Sequence, residues 1–443
     1  MSPKPISPLN PGVKPREVLG WAMYDFANSG YTTVVITAVF SAYFVGGVAQ
    51  GASWATLAWT VALSLSYALV MLTMPVMGAW SDRHGAKKRL LAMTTMACVL
   101  STLALGWVGP GDVVLGMALI VLSNTFYTYG ESLIAAFLPE LATGPGMGRV
   151  SGWGWALGYV GGMLCLGVCL AYVLQAQARG EPAQAFVPVT LVITALFYGG
   201  ASLFTFALLR ERAVPMTQSS DMVAPRLPNQ WQQLRQSLKS LRDYPELARL
   251  LACIVAYQAG VAVAITLAAI YAEQVMGFAP QETMVLIFAL NIAATVGAFT
   301  LGHAQDRWGH QRALAVTLVG WVLTCGIVAL AHSKPVFWGA AVLAGLCLGS
   351  SQSAGRAMAG LLTPPAHTAE FFGLWSFAVR AASIIGPLLY GLITWATAGN
   401  QRLAIGATGG LFLLGLWWLW PLDMAQGRAR ITQSAPVQAT DGD

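Results

Sequence analysis

Gly78-Ala79-Trp80-Ser81-Asp82-Arg83-His84-Gly85 recurs, in pattern, as Gly302-His303-Ala304-Gln305-Asp306-Arg307-Trp308-Gly309. The two copies share Gly-x-x-x-Asp-Arg-x-Gly, and a further arginine follows each, Arg89 and Arg312. A second match lies at almost the same offset. It pairs Gly130 with Gly355, Glu131 with Arg356 and Pro139 with Pro364. One short match arises readily by chance, but two at nearly one spacing point to a duplicated chain. Each Asp-Arg copy also ends a long apolar run, which sets the environment in which the duplication works.

That environment is a bilayer. Of the 443 residues, 56% are hydrophobic and only 9% are charged, against about 25% charged in a soluble domain. The net charge of +6 does not indicate nucleic acid, because the basic residues sit between apolar runs with no aromatic interleaving. Runs long enough to cross a membrane lie near 20–46, 55–79, 90–109, 113–137, 150–176, 187–209, 248–274, 283–302, 313–331, 336–361, 371–398 and 403–421. The first is too long for a cleaved signal segment and reads as a spanning helix.

The division that follows is a tail 1–19, a six-helix bundle 20–209, a polar central loop 210–247, a second bundle 248–421 and a tail 422–443. Within the loop, 232–242 reads as a short amphipathic helix on the membrane surface. With both termini cytoplasmic, only Arg179, Lys334 and Arg402 fall on outer loops and, apart from Arg249 at the cytoplasmic edge of span 7, only Arg356 and Arg380 within spans, out of 24 Lys and Arg. The excess of positive charge on inner loops fixes that orientation. The six cysteines all fall inside apolar runs and form neither a disulfide framework nor a zinc motif.

Polar side chains are costly in hydrocarbon and mark the helices that line water. Span 1 holds Asp25, Asn28, Ser29 and Thr32 on one face, and span 4 holds Asn124, Tyr127, Thr128 and Glu131 at the same spacing. Span 7 offers Tyr257 and Gln258; span 10 offers Ser350, Ser351, Gln352, Ser353 and Arg356. Spans 8 and 11 add Asn291 and Arg380. Every third helix is strongly polar, as expected of three-helix units that each give one wall to a central cavity between repeated halves.

With these features the chain resembles the major facilitator superfamily. More narrowly, Gly20-Trp21-Ala22-Met23-Tyr24-Asp25-Phe26-Ala27-Asn28-Ser29 is similar to the start of the vacuole-effluxer-like branch. So are Phe137-Leu138-Pro139-Glu140-Leu141 and the run from Gly148-Arg149-Val150-Ser151-Gly152 through Gly154-Trp155-Ala156-Leu157-Gly158-Tyr159. The resemblance implies an all-α, twelve-helix facilitator fold and a secondary transporter, with amino-acid export the best-known activity of the branch. The chain departs from family patterns at three places: Ala259 precedes Gly260 where an acid is expected, span 4 carries Glu131 where many antiporters carry arginine, and Tyr159 follows Gly158 where drug antiporters carry proline.

The resemblance assigns Gly78, Asp82, Arg83 and Gly85, with Gly302, Asp306, Arg307 and Gly309, to a conformational latch. There an aspartate meets the N-terminus of a helix in the opposite half, where the dipole favours an anion. The alternative is a solvated turn. For Asp25, low-dielectric burial disfavours the charge, so the group could exchange a proton or hold an ammonium; it could equally cap neighbouring hydroxyls. Glu131 and Arg356, at equivalent repeat positions, are expected at similar depth across the cavity. Three readings stay open for them: a pair closing the cytoplasmic end, separate contacts to a substrate amine and carboxylate, or a static structural pair. Asn28, Tyr127, Gln258 and Gln352 complete the candidate lining. Arg380 reads as structural, packing on carbonyls or an acid across the interface. Gly154, Gly158 and Gly162 read as close helix packing.

No lysine follows a glycine, so a phosphate loop is absent, and neither HExxH nor GxSxG occurs. The chain therefore reads as a non-enzymatic, proton-coupled carrier of amino acids or small peptides, without cofactor or metal. A single copy in a bacterial-type inner membrane is the expected form. A transporter-like sensor or a lipid-handling protein is the competing reading.

Overall fold

The computed structural model describes residues 7–52, 54–212, 235, 239–278 and 280–434. Twelve helices long and apolar enough to cross a membrane follow one another. The first, α1 (Pro15–Tyr31), is carried on by π-helical turns at Thr32–Ala38 and Phe44–Val48. The rest of the first half is α2 (Ala55–His84), α3 (Lys87–Ala104), α4 (Val113–Ala135), α5 (Met147–Ala178) and α6 (Ala183–Leu208). The second half is α7 (Pro245–Gln274), α8 (Pro280–Trp308), α9 (His310–Leu330), α10 (Lys334–Leu361), α11 (Thr368–Ala396) and α12 (Gln401–Leu419).

A thirteenth helix, α13 (Met424–Ser434), lies in the stretch that the sequence left as a tail, and α1 begins inside the expected N-terminal tail. The surface helix expected over 232–242 lies outside the described residues except for 235 and 239–242.

Each half builds its own core, and the two cores exchange only a few side chains. One is centred on Trp21, Tyr31, Phe44 and Phe137, the other on Tyr257, Trp321, Phe372 and Phe412. Within the spans many hydroxyl groups bond to a carbonyl one turn earlier on their own helix. Thr95 donates to Leu91 O, Thr194 to Thr190 O and Thr317 to Ala313 O, as an apolar solvent requires.

The doubled motif explains itself in space. Its first glycines bring helices of opposite halves into backbone contact. A Cβ on Gly78 would land on the Ala369 carbonyl and 2.8 Å from the Glu370 amide nitrogen. One on Gly302 would stand 3.0 Å from Gly152 Cα. Its second glycines turn the chain, Gly85 at φ 59° and Gly309 at φ 93°, where a side chain would be strained.

The second repeat is equally regular. Gly130 gives room to the Tyr24 hydroxyl and Gly355 to that of Tyr257, each tyrosine coming from the first helix of its half. Both chain ends gather at this motif end. The N-terminal segment bonds to the loop after α4 through Asn10 N–H to Leu141 O (3.0 Å) and Thr143 N–H to Pro8 O (3.0 Å). Met424 of α13 packs against the cores of both halves.

Candidate functional site

The halves meet through two kinds of polar contact. The first is the pair of latches. Asp82 accepts from the amide groups of Ala369 (3.1 Å) and Glu370 (2.9 Å) at the start of α11. Asp306 accepts from those of Gly148 (2.9 Å) and Arg149 (3.1 Å) at the start of α5, and from Arg149 Nε at 2.9 Å. Each carboxylate thus caps free amide groups at the positive end of a helix dipole in the other half.

Lys87, 1% exposed, reinforces the first latch. It donates to Glu140 and to Thr368 Oγ1 (2.5 Å) and stands 3.9 Å from Asp82. Arg83 and Arg307 are exposed. Losing one carboxylate charge at a latch costs about 1–2 kcal/mol of closed state, close to a tenfold shift. Spin labels at H84C and A366C report it selectively, because the six native cysteines are buried. Asp82→Asn is expected to lengthen the label distance; a wild-type distance distribution would contradict the latch.

The second kind is two ion pairs, one buried and one part-buried. Arg356 Nη1 donates to Asp25 Oδ2 at 2.6 Å. Arg380 Nη2 donates to Glu131 Oε2. This corrects the pairing expected from the repeat, which joined Glu131 to Arg356. The two positions are related by the pseudo-symmetry and lie on opposite sides of its axis. Each meets a different helix of the opposite half, α11 for Glu131 and α1 for Arg356, instead of its own counterpart. Arg380 does meet an acid across the interface, and that acid is Glu131.

The environments of the two pairs differ. Arg356 has all three nitrogens bonded. Its Nε donates to Ser151 Oγ (3.3 Å) and its Nη2 to Ser151 O (2.9 Å), while Trp21 and Trp155 face the guanidinium at 4.7 and 5.2 Å. Such cation–π stacking suits the planar, weakly hydrated guanidinium. Gly154 makes the space: a Cβ there would lie 2.6 Å from both Arg356 Nη2 and Asp25 Oδ2. The glycine ladder, read as packing alone, thus shapes the site; Trp21, Ser151, Gly154 and Trp155 were missed. The signal was present in Gly154 standing beside a tryptophan on the helix facing Asp25.

Glu131 keeps 20% of its side chain accessible, against 10% for Asp25. Arg380 lies over the Tyr67 ring at 5.4 Å. On the same wall Tyr127 stacks on Tyr31 (4.9 Å) and accepts from Thr32 Oγ1 (2.8 Å). Thr32 opens the π-helical stretch, whose wide turns often mark functional positions. Asn28, 4% exposed, lies one turn from both Asp25 and Thr32 on α1. On the opposite half Gln258 Nε2 donates to Gln352 Oε1 (2.7 Å). The structure thus sets Asp25 with Arg356, Gln258 with Gln352, and Tyr127 with Thr32, while Asn291 only bonds back to Ile287 O (2.9 Å). All the polar contacts between halves lie in the motif-proximal half of their helices.

A family model described as "Vacuole effluxer Atg22 like" matches residues 41–146 and 146–432. The chain is 28% identical over 405 residues to "Uncharacterized MFS-type transporter YxiO" of Bacillus subtilis, covering 89% of this chain and 92% of that one. It is 23% identical over 304 residues to "Autophagy-related protein 22-1" of Aspergillus niger, covering 63% of this chain and 48% of the fungal one. It thus spans about half the length of that relative. Among solved structures, the human organic anion transporter MFSD10 (TETRAN) superposes with a TM-score of 0.72 at 15% identity, over 91% of this chain and 99% of that one.

Proposed function

This chain belongs to the vacuole effluxer Atg22-like family, and from that premise we propose that it exports amino acids or small peptides by alternating access, drawing on a proton gradient. The coarser statement needs no proposal: the protein is a membrane transporter of the major facilitator type and not an enzyme. The observation that carries the finer reading is the two ion pairs, buried Asp25–Arg356 and part-buried Glu131–Arg380, each made between the halves. A buried pair whose partners belong to different rigid bodies must break when the bodies separate. Protonation or an ionic solute can then bias that step.

In this reading the latched end faces the cytoplasm of a bacterial cell, as the basic loops favour, and both termini lie there. The structure is then the state sealed toward the cytoplasm. Asp25 is the proton-carrying group: protonated, it no longer balances Arg356, and the pair gives way. A single copy suffices, because both halves of the site come from one chain.

Purified protein in proteoliposomes tests this with labelled amino acids and dipeptides, with and without an imposed pH gradient. Gradient-dependent movement of one of them is the expected result. No movement across the whole panel would discard the amino-acid reading in favour of a sensor or lipid-handling role.

A further inference from the structure

The guanidinium of Arg380 is only half used. Its Nη2 donates to Glu131 Oε2, while its Nε is buried with no hydrogen-bond partner. Nε and Nη2 form one edge of the guanidinium fork, the edge that grips a carboxylate through two parallel bonds. Glu131 occupies half of that edge. One turn earlier on α11, the Ser376 hydroxyl is also buried without a partner. Unpaired buried donors are uncommon in native proteins and call for an acceptor. Arg356, by contrast, has Nε, Nη1 and Nη2 each engaged, with Trp21 and Trp155 rings at 4.7 and 5.2 Å from the guanidinium.

We propose that Glu131 and Arg380 are the recognition site for a zwitterionic solute, with Asp25 and Arg356 left outside it. The solute's α-carboxylate takes Nε and Nη2 of Arg380 and displaces Glu131. The freed carboxylate of Glu131 receives the solute's ammonium. A neutral zwitterion enters a neutral pair, so every charge stays matched. A lone amine or a lone carboxylate would leave one buried charge unbalanced, which is strongly unfavourable. The pair is also the more accessible of the two, with Glu131 at 20% and Arg380 at 11% side-chain exposure. Tyr67, over which Arg380 lies, and Tyr127, one turn before Glu131, give the solute's side chain an aromatic wall. This inference rests on the amino-acid reading above and narrows it to α-amino acids held by both backbone groups.

The test is equilibrium binding to the purified full chain with L-leucine, L-tyrosine and L-arginine, each against its amide and its N-acetyl derivative. The wild type is expected to prefer the free amino acid by about tenfold to a hundredfold over either derivative, the range for a charged hydrogen bond. Arg380→Gln is expected to bring the ratio of acid to amide close to one while keeping the preference over the N-acetyl form. Glu131→Gln does the reverse. Ratios within one variant do not depend on the folded fraction. Arg380→Lys, which keeps the charge and loses the fork, gives an intermediate ratio and serves should Arg380→Gln fail to fold.

Wild-type binding of an amino acid with an unchanged ratio in both Arg380 variants would overturn this assignment and leave the transport reading standing. Wild-type binding without preference over the derivatives would overturn it as well. A wild type that binds none of the three amino acids would overturn both.

Discussion

Asp25→Asn is expected to move solute down its own gradient and never above equilibrium, whatever pH gradient is imposed. Asp25 is 7% exposed and its carboxylate is the counter-charge of Arg356, which is 2% exposed. Removing one member of a buried pair costs about 3–5 kcal/mol, because the remaining charge is left without compensation. That cost falls only on the state in which the halves meet here. The sealed end should therefore open more readily, and the accumulation ratio should fall to one. Asparagine keeps the volume and loses both the negative charge and the titratable proton, so coupling goes while the fold stays. Uptake in proteoliposomes with and without a pH step measures this. Wild-type accumulation in the variant would exclude Asp25 from coupling.

Gly78→Val is expected to abolish transport by holding the motif end open. The added Cβ would fall on the Ala369 carbonyl and 2.6 Å from its carbon, with the Glu370 amide nitrogen at 2.8 Å. These are backbone atoms of the helix end that Asp82 caps, so no rotamer relieves the overlap. Overpacking of this kind typically costs about 1–3 kcal/mol where neighbours can yield. Here the easier escape is for α2 and α11 to stay apart, which also undocks Asp82. Turnover is expected to fall about a hundredfold, about 2.7 kcal/mol, at the upper part of that range. The spin-label distance between H84C and A366C should lengthen beyond that of Asp82→Asn. Normal transport with an unchanged distance would show that the close approach at Gly78 is dispensable.

Much of this architecture could be read without coordinates. Apolar run length gave twelve helices because the bilayer imposes a minimum span. The repeated Gly-x-x-x-Asp-Arg-x-Gly gave the two halves, because a carboxylate at a helix end and a glycine at positive φ are local demands that few residues meet. The polar faces of α1, α4 and α10 named Asp25, Glu131 and Arg356 as groups that hydrocarbon would not tolerate alone. The extra helix α13 was hidden, since its polar composition resembles that of any tail and its place depends on Met424 reaching both cores.

Pairing was not legible. Which acid meets which base is set by how two pseudo-symmetric bundles pack, and helical periodicity describes one helix at a time. Arg380 was read as structural from its side-wall helix, and Arg356 stayed open between a gate, a substrate contact and a static pair. In the structure Arg356 is enclosed by Ser151, Trp21, Trp155 and Asp25, while Arg380 keeps a free donor beside an accessible glutamate. The sequence by itself determined that a few charges would lie within the spans, because Asp25, Glu131, Arg356 and Arg380 stand inside apolar runs where hydrocarbon would not leave them alone. Only the tertiary structure decided which of them are spent on each other, because a guanidinium is satisfied or left wanting by atoms from helices far apart in the chain.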